Sequence, residues 1–347
     1  MNLQGRPALA RIGGLWRSAR MSIRLPTFSD IEDAARRIAP WAVITPLLES
    51  PALNARIGTR VFLKAEPFQR TGSFKFRGAC NRILLIPEAE RKRGVVAFSS
   101  GNHAQGVAAA AALFDLPATI VMPADAPQAK IEGTRSYGAK VITYDRKGED
   151  REAIARKVQD ETGATLVKPF DDPFIVAGQG TAGLEMARQA PAAMDRVFVP
   201  ASGGGLASGI ALAFGHESPA TEIFSVEPEG YEGMALSLAA GVRSFAPADR
   251  PSMADALQSP FPGEVPFAVA KQHLSGGVTV SDEALARAVS YAIRVLKIVV
   301  EPGGAAGLAA VLSSGHHNKK DIIGVVLSGG NADPQTIADC CTRFPQP

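Results

Sequence analysis

The sequence is poor in the residues that build disulfide frameworks and metal centres. Three cysteines (Cys80, Cys340, Cys341) serve 347 residues, and two of them are adjacent. An all-paired framework is excluded, and a reducing, cytoplasmic compartment is expected. Five histidines, at 103, 216, 273, 316 and 317, show no metal-ligand spacing. No apolar run approaches the roughly 20 residues that span a bilayer, so no membrane partner is expected. A basic surface is missing too. Four arginines (Arg6, Arg11, Arg17, Arg20) and no acid fall in the first 20 residues, which leaves 33 basic residues against 34 acidic in the remainder. That balance argues against a nucleic-acid partner. Residues 1–21 read as an Arg-rich, disordered leader. It is either a transit-like segment or a tail ahead of a folded chain that begins at Met21.

What is present is a chain 46% hydrophobic and 20% charged, long enough for a large core in two lobes. The segment starting Ser29-Asp30-Ile31-Glu32 predicts a capped helix to about residue 38. A strand is expected at 61–66, then a helix capped by Ser73 and running to about 85. From residue 94 short apolar strands alternate with helices: strands at 95–98, 118–122, 141–144 and 165–167, and again at 196–199, 222–226 and 322–327. Such alternation means α/β architecture, with parallel sheets covered by helices on both faces. Residues 228–280, rich in Pro and Gly, read as irregular. Residues 94–168 form a unit that looks inserted as a small lobe into a larger one made of 22–93 and 169–347.

Several stretches can carry chemistry. In Thr71-Gly72-Ser73-Phe74-Lys75-Phe76-Arg77-Gly78-Ala79 one lysine follows a strand and is flanked by two phenylalanines. That setting desolvates an ammonium and lowers its pKa, as an amine nucleophile requires. Ser202-Gly203-Gly204-Gly205-Leu206, between a strand and a helix, suits a phosphate cradle. A dinucleotide loop is the rival reading, with Glu227 about 20 residues on, but Ser208 stands where its third glycine belongs. Ser99-Ser100-Gly101-Asn102-His103 opens another helix and either holds a carboxylate or simply caps. In that second case His103 is a packed helix residue. Ser328-Gly329-Gly330-Asn331 is a ligand loop or a turn. Glu301, stranded among apolar residues, is a site residue or an N-terminal helix charge. Ala177-Gly178-Gln179-Gly180-Thr181 reads as architectural.

Taken in order, these stretches resemble the fold-type II pyridoxal-phosphate enzymes, which are two-lobed and tryptophan synthase β-like. Within them the chain resembles the threonine/serine dehydratase and serine racemase family. The match extends through Lys168-Pro169-Phe170-Asp171-Asp172-Pro173, Val226-Glu227-Pro228 and Glu301-Pro302, and covers roughly residues 28–340. The resemblance implies that Lys75 holds pyridoxal 5'-phosphate as a Schiff base and shuttles protons, with Phe74 against the ring. Asn102 would meet the ring hydroxyl, Ser202, Gly203, Gly204, Gly205 and Leu206 the phosphate, and Ser328 the ring nitrogen. Ser99, Ser100, Asn102 and His103 would hold the substrate carboxylate, and Arg151 a second carboxylate. The implied reaction is β-elimination on a 3-hydroxy amino acid, L-threonine or L-serine, giving a 2-keto acid and ammonia. The alternatives are 3-hydroxyaspartate as substrate, or racemisation with Ser100 as the base on the opposite face. A homodimer is implied. So is a magnesium or calcium site made of a glutamate, a backbone carbonyl and an acid six residues after the first. Glu227 matches the glutamate, but position 233 is glycine; Tyr231 offers its carbonyl, and Glu229 or Glu232 an acid.

Overall fold

A computed structural model describes residues 23–99, 101–126, 128–313, 315–316, 318 and 320–346. The expected leader and Ser100 lie outside the described residues. In chain order the elements are α1 (Phe28–Ile38), β1 (Leu47–Glu49), α2 (Pro51–Ile57), β2 (Val61–Ala65), α3 (Lys75–Leu84), α4 (Glu88–Arg91), β3 (Val95–Phe98) and α5 (Asn102–Ala112). There follow β4 (Ala118–Pro123), α6 (Gln128–Arg135), β5 (Lys140–Tyr144), α7 (Arg151–Thr162), β6 (Thr165–Leu166), α8 (Pro173–Gln189), β7 (Arg196–Pro200) and α9 (Gly205–Glu217). The chain closes with β8 (Glu222–Pro228), α10 (Gly233–Ala240), α11 (Glu264–His273), β9 (Gly276–Val280), α12 (Asp282–Tyr291), α13 (Ala306–Leu312), β10 (Ile323–Leu327) and α14 (Pro334–Arg343).

Two sheets result. One has the order β1-β2-β10-β7-β8-β9 and is parallel except for β1; the other, β5-β4-β3-β6, is parallel throughout. The second sheet comes from residues between β2 and β7, and β10 slots between those two strands, pairing Val325 with Leu63 on one side and Phe198 on the other. Strands β2, β3 and β10 are buried at every residue, as a sheet covered on both faces requires. On the larger sheet Phe198, Val226 and Val325 pack with Leu285, Val289 and Leu308 of α12 and α13. Val197, Val199 and Val326 pack with Ala207, Ile210 and Phe214 of α9. On the smaller sheet Val95, Ala97 and Ile120 meet Phe76 and Ile83 of α3 and Val107 of α5.

Helix α3 is anchored by buried charge. Arg77 donates to Glu66 at 2.8 Å and to Glu185 of α8 at 2.6 Å, and Lys64 of β2 donates to the other Glu185 oxygen at 2.6 Å. Two cations face two anions, so neither sign is left uncompensated in the interior.

Three local expectations are corrected. Thr27, not Ser29, caps α1: its hydroxyl accepts the Asp30 N–H while the Asp30 carboxylate accepts the Thr27 N–H. Ser73 does not cap α3, because it is extended (φ −160°, ψ 159°) and bridges Gly329 across the sheet end. Residues 228–280 are not irregular throughout, since α10, α11 and β9 form there. Among the described residues no helix is long and apolar enough to cross a membrane.

Candidate active site

Parallel strands that end together bring their outgoing loops together. β2 leads towards Lys75, β3 to Ser99 and α5, β7 to the glycine loop before α9, and β10 to Ser328. With Pro169, Phe170, residues 255–259 and Glu301 they line a cavity of about 240 Å³.

Backbone bonds lace three distant segments around the lysine. The Phe74 N–H donates to Ser328 O at 3.1 Å, the Gly330 N–H to Gly72 O at 2.9 Å, the Ser328 N–H to Gly304 O at 3.2 Å and the Glu301 N–H to Gly329 O at 3.0 Å. Lys75 opens α3, with Nζ donating to Pro169 O at 2.8 Å and lying 5.1 Å from the Phe74 ring centroid. Desolvation pushes its pKa from 10.5 down to about 8, against the pull of the Glu301 carboxylate. The amine therefore carries an appreciable neutral fraction near neutral pH.

Across the cavity, α9 starts from Gly204 in the left-handed region (φ 88°) with no side-chain cap, so its first N–H groups are open to a ligand. A Cβ at Gly203 would sit 2.3 Å from the Phe170 ring, so only glycine admits this loop path. The loop is braced from behind: the Ser259 N–H donates to Ser202 Oγ and the Gly263 N–H to Gly203 O, both at 3.0 Å. Three polar side chains nearby are buried without a hydrogen-bond partner, namely Ser73, Gln179 and, at Nδ1, His103. A glycine cradle, an uncapped helix start and orphaned polar atoms beside a low-pKa amine fit a phosphorylated carbonyl cofactor.

Helix α5 also starts without a side-chain cap, and the hydroxyl of Ser99 takes the Gly101 N–H at 3.2 Å. Asn102 donates to Glu301 at 2.5 Å and accepts from Asn331 at 2.8 Å. His103 departs from the expected role in carboxylate binding. Its Nε2 donates to Val167 O at 2.9 Å, and burial, with Lys75 adding to it, pushes its pKa down to about 3. The ring is neutral with only an acceptor free, so what position 103 offers a carboxylate is its backbone N–H. Arg151 lies 5.4 Å from the Phe98 ring centroid and lines the cavity together with Arg146 and Lys130.

The family model for pyridoxal-phosphate dependent enzymes matches residues 38–329. The chain belongs to that family. It is 42% identical over 315 residues to the L-threo-3-hydroxyaspartate ammonia-lyase of Saccharomyces cerevisiae, covering 90% of this chain and 96% of that protein. It is 42% identical, again over 315 residues, to the serine racemase of Schizosaccharomyces pombe, covering 90% of this chain and 97% of that one. Among solved structures, the T.th. threonine deaminase superposes with a TM-score of 0.83 at 43% identity, covering 89% of this chain and 99% of that chain. The α/β fold with parallel sheets is shared with the solved relative, and the ammonia-lyase type of enzyme that the motifs imply is represented among these relatives beside a serine racemase.

In this pyridoxal-phosphate dependent enzyme, Lys75, Phe74, Ser99, Asn102, His103, Arg151, residues 202–206 and Ser328 all line one cavity. Glu301 joins them as more than a helix charge: burial, with Asp255 next, raises its carboxyl to about 7, while the bond from Asn102 opposes the shift. The pair of Lys130 on α6 and Asp255 across the cavity mouth had no local signal, since neither residue is unusual in its own segment. Glu227 does not join the cavity. Among the described residues no group of three or more His, Cys, Asp and Glu is placed to hold a metal ion, and both Glu227 carboxylate oxygens accept backbone N–H groups, from Met234 and Ala235. The residues present do not fit the expected cation site.

Proposed function

We propose that the protein is an ammonia-lyase that converts a 3-hydroxy amino acid, L-threonine or L-serine, to a 2-keto acid and ammonia. The observation that carries this reading is the Lys75 amine, its pKa lowered to about 8, set between the glycine loop, Ser328 and the open start of α5. Pyridoxal phosphate, when bound, supplies an electron sink next to the substrate's α-carbon. Residues 202–206 would hold its phosphate, Phe74 its ring face, Asn102 its ring hydroxyl and Ser328 its ring nitrogen. Ser99 and the N–H groups of Asn102 and His103 hold the substrate carboxylate, which points the α-hydrogen at Lys75. Lys75 then takes that proton. The β-hydroxyl leaves with a proton as water, and hydrolysis of the resulting enamine releases ammonia and the 2-keto acid.

A second substrate, 3-hydroxyaspartate, is favoured by Arg151 with Arg146 and Lys130 on the cavity wall. Racemisation would need a base on the opposite face, the role the sequence suggests for Ser100. We place the enzyme in the cytoplasm as a homodimer, with residues 94–168 as its small lobe. Lys75→Ala should abolish the visible absorbance of bound cofactor and lower keto-acid release about 10³-fold. Retained turnover would sink the assignment. Incubating the wild type with L-threonine, L-serine and the 3-hydroxyaspartates, while following keto acid and enantiomer, ranks the substrates. Racemised serine without keto acid would replace the lyase reading by a racemase.

A further inference from the structure

Glu227, at the end of β8, is fully buried. Its Oε1 accepts the Met234 N–H at 2.8 Å and its Oε2 the Ala235 N–H at 2.9 Å. These are the second and third residues of α10, whose N-cap residue Glu232 makes no side-chain cap bond. The carboxyl group thus caps α10 from a neighbouring strand, satisfying two of its open donors; burial raises it to about 8, with the two backbone bonds opposing the shift. Position 233, six residues after Glu227, has no room for an acid. A Cβ there would lie 2.8 Å from Pro260 O and 2.9 Å from Phe261 Cα. The backbone of 260–261 fills that space, and it continues directly into the cavity wall. Ser259 bonds to Ser202 on one side of it and Gly263 to Gly203 on the other.

We infer that this wall of the active site is held without a divalent cation: the first N–H groups of α10 occupy both oxygens of Glu227, and Gly233 lets residues 260–261 close against it. Glu227 is a positioning residue. It acts on the phosphate loop through α10 and residues 259–263, and touches neither substrate nor cofactor. Three features independent of any bound ion agree on this: both Glu227 oxygens are engaged, no acid stands at position 233, and the space there is occupied by main chain.

The test uses the cofactor-loaded wild type after EDTA treatment and gel filtration. Manganese binding is read by the electron paramagnetic resonance of free Mn²⁺. Thermal unfolding and turnover are read with Mg²⁺, Ca²⁺ or Mn²⁺ up to about 5 mM, a range that would fill even a weak carboxylate site. No stoichiometric Mn²⁺ uptake is expected, with Tm moving by less than about 1 °C and turnover by less than about twofold. Saturable uptake of one ion per chain, with Tm raised by about 5 °C, would overturn the inference. It would point to Glu232, whose Oε2 is buried without a hydrogen-bond partner, as the second carboxylate. The uptake and Tm readings do not depend on which amino acid is the substrate. The positioning role is read separately in Glu227→Gln, which sets an amide donor against one of the two N–H groups. Its cofactor should dissociate several-fold faster on dilution, with no rescue by Mg²⁺. Wild-type retention in that variant would remove the positioning role, and if it fails to fold, the wild-type titrations still decide the cation question.

Discussion

Lys75 and Glu301 share a cavity wall, and burial moves them in opposite senses. The ammonium falls to about 8 and the carboxyl rises to about 7, each tempered by the charge of the other. An amine must be neutral to condense with a carbonyl, so in cofactor-free protein the condensation rate should climb with pH around a midpoint near 8 instead of 10.5. The Glu301 carboxylate helps keep the proton on Lys75, and its removal favours the neutral amine. Glu301→Gln should therefore shift the midpoint to lower pH, measured by stopped-flow visible absorbance after adding pyridoxal phosphate. A midpoint that stays put or rises would show that the two groups do not communicate. Lys75, the glycine loop and Ser328 were legible in the sequence because each joins a strand end to small residues. The partners that set their properties were not. Ser73 reads as a helix cap until Gly329 pairs with it, and His103 reads either as a packed helix residue or as a carboxylate ligand until Val167 claims its Nε2.

Helix α8 shows why whole elements escaped. It carries Gly178, Gly180 and Gly183, and helix propensity counts against such a run. Tertiary contact outweighs that propensity. A Cβ at 178 would sit 2.8 Å from Arg77 O, one at 180 2.8 Å from Gly209 O and one at 183 2.8 Å from Ile210 Cα. The glycines let α8 lie backbone to backbone against α3 and α9, and α3 bears the lysine while α9 opens at the glycine loop. β9 escaped for a like reason: a Cβ at Gly277 would be 2.5 Å from Ala235 Cβ on α10. Ala for Gly in a helix normally stabilises by roughly 0.5–1 kcal/mol. Gly183→Ala should nevertheless destabilise, by about 1–3 kcal/mol, because the obstacle is rigid main chain. Urea unfolding of the holoenzyme measures this, and a gain in stability would mean that α8 and α9 have slack between them.

For the whole molecule, the alternation of strands and helices was enough to predict parallel sheets, but not that the last strand would enter between β2 and β7. That placement brings Ser328 beside Phe74, and the sequence contains no local record of it. The charge distribution has the same character. Past residue 20 the chain is nearly balanced, with 33 basic residues against 34 acidic, yet folding gathers Lys130, Arg146 and Arg151 at one cavity, where Asp255 and Glu301 are the acids. Asp255 pairs with Lys130 and Asp125 with Arg146, whereas Arg151 lies over Phe98 and, among the described residues, has no carboxylate partner. A guanidinium held on an aromatic face with its donors unspent suits a second carboxylate on the substrate. Losing one charge-assisted bond of about 1.5–3 kcal/mol corresponds to about 10–100-fold. Arg151→Met should thus lower kcat/KM for 3-hydroxyaspartate by that factor and for L-threonine far less. Raising ionic strength should weaken the dicarboxylate reaction selectively, since only that substrate is drawn by the field at the mouth. Equal losses for both substrates would assign Arg151 to the support of Phe98 and leave L-threonine or L-serine as the substrate this cavity is built for.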